Sequence, residues 1–276
     1  PGTHITEKAY LCDMKRELSS WMKAAADFLL PRVCTVCGDR LHRAENHICL
    51  PCLADIPLTR FWTMEHNPMA DRFNRLIQKS LEESVPDDCL ENPRPRERYA
   101  FAAALLIYKD ESGYKNIPQQ LKYHGNVAAG RYFGRMLGRK LASSELFQDV
   151  DLVIPVPLHR MREWQRGYNQ AEVIAAGVAA ELEAVMDCRI LARRRRTKTQ
   201  TKLGIEEKAA NVAGAFKAQT EGFERNAGLS SVRHILLIDD VFTTGSTAAA
   251  CFHALRSVFP PSVRISVATL AFVGEV

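Results

Sequence analysis

The sequence predicts an α/β fold: a parallel sheet with flanking helices, preceded by a small four-cysteine module. Three observations carry that reading. From Tyr99 onward, short apolar runs alternate with helical stretches, the pattern of strands joined through crossover helices. Runs such as "DLVIPVP" and "RHILLID" are apolar almost throughout, as strands covered on both faces are. Four of the eight cysteines fall between Cys34 and Cys52, a clustering that suits a metal better than the spread pairs of a secreted disulfide scaffold.

The bulk numbers agree. The chain has 276 residues, 46% hydrophobic and 25% charged, enough for one sizeable domain and a small module. A net charge of +5 favours anionic ligands slightly but does not by itself imply nucleic acid. The longest apolar runs, "AFAAALLIY" and "ISVATLAFV", are strand-sized, so no membrane insertion is expected. "PGTHITEKAY" lacks the apolar segment of a secretory signal, and the expected location is cytoplasmic.

In order along the chain, residues 1–30 read as an N-terminal extension, in part a processing scar because the sequence starts without Met. Within it Leu18, Trp21, Met22, Ala25, Phe28 and Leu29 fall at helical spacing, and Pro31 ends the pattern. Residues 31–57 form the cysteine module and 58–98 a helical linker or hood, with Phe73, Leu76, Ile77 and Leu81 on one helix face. "VPDDCLENPRPRER" is a linker or surface loop. Residues 99–276 form the α/β domain. There "YAFAAALLIY", "DLVIPVP", "CRIL", "RHILLID" and "VRISVATLAFV" read as strands, and "GRYFGRMLGRKLA", "QAEVIAAGVAAELEAV" and "STAAACFHALRSVF" as helices.

Cys34-x-x-Cys37 and Cys49-x-x-Cys52 supply four soft ligands for one tetrahedral ion, the thiolate set zinc prefers. Such a closed site is structural, and metal binding supplies most of the folding energy of so small a module. His42 and His47, between the knuckles, read as loop residues.

In a parallel sheet, ligands bind beyond the carboxyl ends of the strands. The loop after "ILLIDD" is therefore the first place to look. In "ILLIDDVFTTGST", Ile235–Ile238 form a buried strand with Asp239 and Asp240 at its carboxyl end. Thr243, Thr244, Gly245, Ser246 and Thr247 then lead into a helix. N–H groups at that helix start, with the hydroxyls, make an anion cradle. Gly245 lets backbone approach a ligand closely. A sugar phosphate fits, its phosphate in the cradle and its hydroxyls donating to the aspartates, with magnesium between; a free nucleotide phosphate is the alternative ligand. The Walker pattern is absent.

This segment resembles the 5-phosphoribosyl-1-pyrophosphate (PRPP) motif of type I phosphoribosyltransferases. The resemblance implies that Asp239 and Asp240 meet the ribose hydroxyls and that Thr243–Thr247 hold the 5′-phosphate. Together with "VIPVPLHRMREWQRGYNQAEVIA", "LARRRRTKTQTKLG", "NVAGAF" and the cysteine pairs, it is similar to the ComF family, from about Leu30 to Val273. That family joins a zinc finger to a type I phosphoribosyltransferase-like domain and acts in natural transformation. The resemblance implies a role in handling incoming single-stranded DNA beside a competence helicase.

By position, Leu158, His159, Arg160, Arg162 and Arg166 match the pyrophosphate loop of such enzymes, and a polyanionic leaving group does need guanidinium forks. "RRRRTKTQTK", Arg193–Lys202, matches their flexible loop, with Arg196, Thr197 and Gln200 as its functional positions. Three readings stay open for it: a lid over pyrophosphate, a contact to single-stranded DNA, or a solvated face. In "QQLKYHGN", Lys122 and Gly125 match recurring family positions, and Lys122 and His124 are candidates for the acceptor side. Two functions follow from the resemblance. One is a PRPP-magnesium enzyme that transfers ribosyl to an acceptor and releases pyrophosphate. The other is a PRPP-sensing or DNA-handling partner without turnover.

Overall fold

The computed structural model describes residues 31–84, 97–123, 125–194, 214–219 and 232–274. The helix expected within 1–30 and the loop positions Arg196, Thr197 and Gln200 lie outside the described residues, as does His124. The chain divides into two compact units between Asp55 and Ile56.

In the first unit, Val33 bridges Arg40 and Asn46 bridges Ile48, each antiparallel, before the short helix α1, Leu50–Ala54. Glu45 holds the intervening loop together. Its carboxylate accepts the N–H of His42 at 2.7 Å and of Leu50 at 2.8 Å, and these donors hold its pKa below the ordinary value.

The second unit follows the α/β expectation. Its elements run α2 (Pro68–Ser84), β1 (Ala102–Ile107), α3 (Asn116–Tyr123), α4 (Val127–Ala142), β2 (Leu152–Pro155), α5 (Arg160–Arg166), α6 (Gln170–Leu182), β3 (Val185–Met186), β4 (Leu191–Arg193), β5 (Phe216–Ala218), β6 (His234–Phe242), α7 (Ser246–Arg256) and β7 (Arg264–Phe272). Five strands form one sheet in the order β1-β7-β6-β2-β3, and every pairing in it is parallel. β4 and β5 make a separate antiparallel pair.

Chain order fixes where a ligand can sit. After β2 the chain moves outward to β3, whereas after β6 it moves the other way to β7. The sheet order therefore reverses between β2 and β6, and the crevice of such a fold opens at their carboxyl ends.

The packing explains the elements. α2 buries Met69, Phe73 and Ile77, and Asn67 caps it by accepting the Ala70 N–H at 2.9 Å. The Asn67 amide also donates to the Ala102 carbonyl at 3.0 Å, fastening the helix start to β1. α4 and α6 approach closely because glycines face each other there. A Cβ on Gly134 would stand 2.6 Å from the Ile174 carbonyl oxygen, and one on Gly177 2.8 Å from the Arg135 nitrogen. Asn169 caps α6 at the Ala171 N–H, and its side-chain amide donates to the Val156 carbonyl at 3.1 Å, tying α6 to the end of β2.

At the opposite, amino end of the sheet, His234 is fully buried between Asp149 (2.7 Å) and Ser266 (2.8 Å). Carboxylate, imidazole and hydroxyl stand in series as in a hydrolase triad. Ser266 is sealed in the core, however, so the arrangement fastens β6 to β7 and offers no nucleophile.

The structure lengthens one expected element and splits another. β6 continues past the acid pair to Phe242, because β7 runs beside it as far as Phe272. "CRIL" contributes only Leu191 to a strand, and the edge strand β3 lies just upstream. No helix among the described residues is long and apolar enough to cross a membrane.

Candidate functional site

β6 supplies the centre of the site. β2 leaves the sheet at Pro155, opposite Ile238, so the two residues that follow in β6 lose their neighbour on that side. Those residues are Asp239 and Asp240. Successive strand residues face opposite sides of a sheet, so the acid pair diverges. Asp239 lines a cavity of about 30 Å³ with Thr243, Thr244, Gly245, Ser246 and Thr247. Asp240 turns towards α3, where its Oδ2 lies 2.9 Å from Lys122 Nζ.

Removing a carboxylate from water raises its pKa, and a like charge beside it raises it further. Burial and the neighbouring Asp240 together push the Asp239 carboxyl up to about 7, against the Asp240 N–H, Lys122 and Arg193, which pull it down. For Lys122, burial opposes the charge, but Asp240 and then Asp239 outweigh it and hold the ammonium above the ordinary lysine value.

The turn after β6 is built for close approach. Gly245 has φ +84, and a Cβ there would stand 2.6 Å from Phe242 Cζ and 2.9 Å from Leu76 Cδ1. α7 begins at Ser246 without a side-chain cap. Thr244 and Ser246 hydroxyls meet at 3.0 Å. From α2, the Arg72 guanidinium donates to the Thr243 carbonyl at 2.7 Å and so fixes the turn from outside. An uncapped helix start flanked by hydroxyls is an anion-binding geometry.

The segment expected as a pyrophosphate loop contains a short helix. Val156, Pro157 and Leu158 extend from β2, His159 caps α5 by accepting the Met161 N–H at 3.3 Å, and Arg160, Arg162 and Arg166 belong to α5 itself. Arg162 and Arg166 line a groove of about 380 Å³ with Lys122, Tyr123, Gly125 and Gln165. Arg160 is exposed and, like Leu158 and His159, lies outside that lining. Lys122 belongs to both places: it lines the groove and pairs with Asp240. Of the basic run, Arg193 ends β4, stacks on Phe216 at 5.2 Å and is close enough to Asp239 to lower its pKa.

In the first unit the ligating sulfurs of Cys34, Cys37, Cys49 and Cys52 lie within 4.8 Å of one another. Cys37 Sγ and Cys49 Sγ are 3.7 Å apart. A tetrahedral zinc thiolate with bonds of about 2.3 Å needs sulfurs about 3.8 Å apart, so the four residues fit zinc. The Val36 and Cys49 N–H groups each point to Cys34 Sγ at 3.4 Å. Burial raises the Cys34 pKa, but backbone donors from Cys37, Cys49 and Val36 bring it down to about 7, preparing a thiolate. His42 and His47 are outside the converging set.

Sequence reasoning paired the two acids, and the structure turns Asp239 towards the hydroxyl turn and Asp240 towards Lys122 at the end of the same strand. It also missed Arg72 and the exposed ring of Trp164. The Arg72 contact joins residues 171 positions apart, which no local pattern reveals.

No protein-family model matches the chain. It is 26% identical over 251 residues to DNA utilization protein YhgH of Escherichia coli O157:H7, covering 87% of this chain and 86% of that protein. It is 28% identical over 235 residues to Competence protein F of Haemophilus influenzae, covering 84% of this chain and 94% of the relative. A shorter match, 28% over 170 residues, joins it to DNA utilization protein YhgH of Salmonella typhimurium. These relatives agree with the motif resemblance: the chain is similar to Competence protein F and to DNA utilization protein YhgH over more than four fifths of its length.

Proposed function

We propose that the crevice at the carboxyl ends of β2 and β6 binds PRPP with magnesium, and that the protein transfers its ribosyl group to an acceptor during the use of incoming DNA. One observation carries this reading: Asp239 and the whole Thr243–Thr247 turn line the same recess, a water-sized space of about 30 Å³ that gathers a carboxylate and the hydroxyls at one point. The turn takes the 5′-phosphate at the uncapped start of α7. Asp239 meets a ribose hydroxyl, and Asp240 meets the second when Lys122 moves aside. Arg162 and Arg166 hold pyrophosphate as guanidinium forks.

When bound, magnesium neutralises charge on the pyrophosphate oxygens. Among the described residues the acid pair offers a hard cation only two carboxylates, which suits an ion that arrives on its phosphate ligand. Asp239 and Asp240 are the residues that would hold it. As the C1–O bond to pyrophosphate breaks, positive charge grows on the ribose ring, and the fixed carboxylates stabilise it. The acceptor forms the new bond to C1 and sheds a proton to solvent.

The relatives' names, DNA utilization and competence, also support a second reading, in which the protein senses PRPP or handles single-stranded DNA beside a helicase without turnover. A cytoplasmic location suits both. Pyrophosphate release from PRPP and magnesium, measured against a panel of nucleobases, decides between them. Release that depends on one acceptor supports transfer; tight PRPP binding with no release from any acceptor supports sensing.

A further inference from the structure

The ion pair between Lys122 and Asp240 occupies a carboxylate that the proposed ligand needs. Lys122 Nζ donates to Asp240 Oδ2 at 2.9 Å, with the carboxylate side chain 12% exposed and the lysine 31%. Removing one partner of so sheltered a pair leaves a poorly hydrated charge, so Asp240 releases its lysine only against a replacement. The lysine, the more open of the two, has somewhere else to go. It also lines the groove of about 380 Å³, beside Arg162 and Arg166 and with no Asp or Glu in the lining. Its backbone is held, because the Tyr168 hydroxyl donates to the carbonyl of Leu121, a fully buried residue. Movement from carboxylate to groove therefore falls to the flexible four-carbon stem of the side chain.

We infer that Lys122 is the specificity-determining residue by which the site separates a pyrophosphorylated pentose from a plain pentose phosphate. The inference rests on the PRPP reading. While the lysine sits on Asp240, that carboxylate is closed to a ribose hydroxyl. A ligand with pyrophosphate at C1 brings negative charge to the groove, and the ammonium exchanges Asp240 for that charge. Asp240 then accepts the hydroxyl, and neither member of the old pair is stranded. Ribose 5-phosphate offers the hydroxyl but no second anion. For it the exchange leaves the ammonium without a partner, so it binds with Asp240 still occupied and one contact short. Discrimination thus comes from a penalty on the wrong ligand as well as from contacts with the right one.

The test is calorimetric titration of the full chain with PRPP and with ribose 5-phosphate, at one magnesium concentration throughout. In Lys122→Met, ribose 5-phosphate should bind more tightly than to the parent and PRPP more weakly, so that the ratio of the two affinities contracts by about tenfold or more. A lysine that merely attracts anions, or merely props the fold, would weaken both ligands when removed. Lys122→Arg, which keeps a cation on a long stem, is expected to restore most of the ratio. Lys122→Met/Asp240→Asn strands no charge and should show the same contraction, which answers for the single variant if that one folds poorly. An unchanged ratio in both methionine variants, or weakening of both ligands alike, overturns the inference while PRPP binding to the parent leaves the proposed function standing. A parent that binds no PRPP overturns both.

Discussion

Lys122 Nζ lies 2.9 Å from Asp240 Oδ2 in a largely buried ion pair, and this contact joins the groove to the acid pair. The lysine pKa is raised, so its contribution to stability is complete below the ordinary lysine value and fades only as pH climbs through the folded one. The lysine therefore keeps its charge up to at least the ordinary lysine value. Lys122→Met strands a carboxylate and should cost on the order of 2 kcal/mol at pH 8. Combined with Asp240→Asn, the loss should be smaller than the sum of the two single losses. Chemical denaturation of all four proteins measures this, and strict additivity contradicts the pairing.

Asp239 gives the opposite pH signature. Its carboxyl is raised to about 7 in the fold, above the usual carboxylate value, so the folded state is the better proton binder. Stability from this group is therefore greatest in acid and is lost as pH rises through about 7. Asp239→Asn removes that penalty. Its Tm should exceed that of the unaltered chain by several degrees at pH 8, for a gain on the order of 2 kcal/mol, and the gap should narrow as pH falls below about 7 and close only near the ordinary aspartate value of 3.8. A variant less stable at pH 8 than the parent would show that Asp239 is held as a favourable anion.

The turn after β6 depends on one glycine. Gly245 combines φ +84 with a side-chain neighbour that would lie 2.6 Å from an added Cβ. Gly245→Ala should lose roughly 1–3 kcal/mol and, with it, phosphate binding at the start of α7. Differential scanning calorimetry reads the first effect and phosphate titration the second. An alanine variant with parental Tm and affinity is incompatible with this turn.

Four converging sulfurs make a specific demand on the first unit. Cys37→Ser should release zinc and melt the module, because so small a unit draws its folding energy from the metal. Metal content by atomic emission, with circular dichroism before and after a chelator, follows both changes. Full zinc retention by Cys37→Ser removes Cys37 from the ligand set.

The strand, turn and helix around Gly245 were legible because their signals are local: an apolar run, then a glycine among hydroxyls, then an alanine-rich helix. The cysteine knuckles were legible for the same reason. α3 and α5 were not, since each spans eight residues or fewer and α5 has no buried stripe to set a helical period. The acids' opposite orientation follows from strand alternation, but only once β6 is known to continue to Phe242. That continuation depends on β7, a partner distant in sequence. Exposure of Tyr123 and Trp164 is likewise a property of the folded surface, invisible in a run of arginines and apolar residues.

Calorimetric titration of PRPP and magnesium into the intact protein and into Asp239→Asn/Asp240→Asn tests the central claim most directly. The account predicts saturable one-site binding to the former and none to the latter, with both proteins folded. Equal affinity in the two would mean that the carboxylates at the end of β6 take no part in holding the ligand.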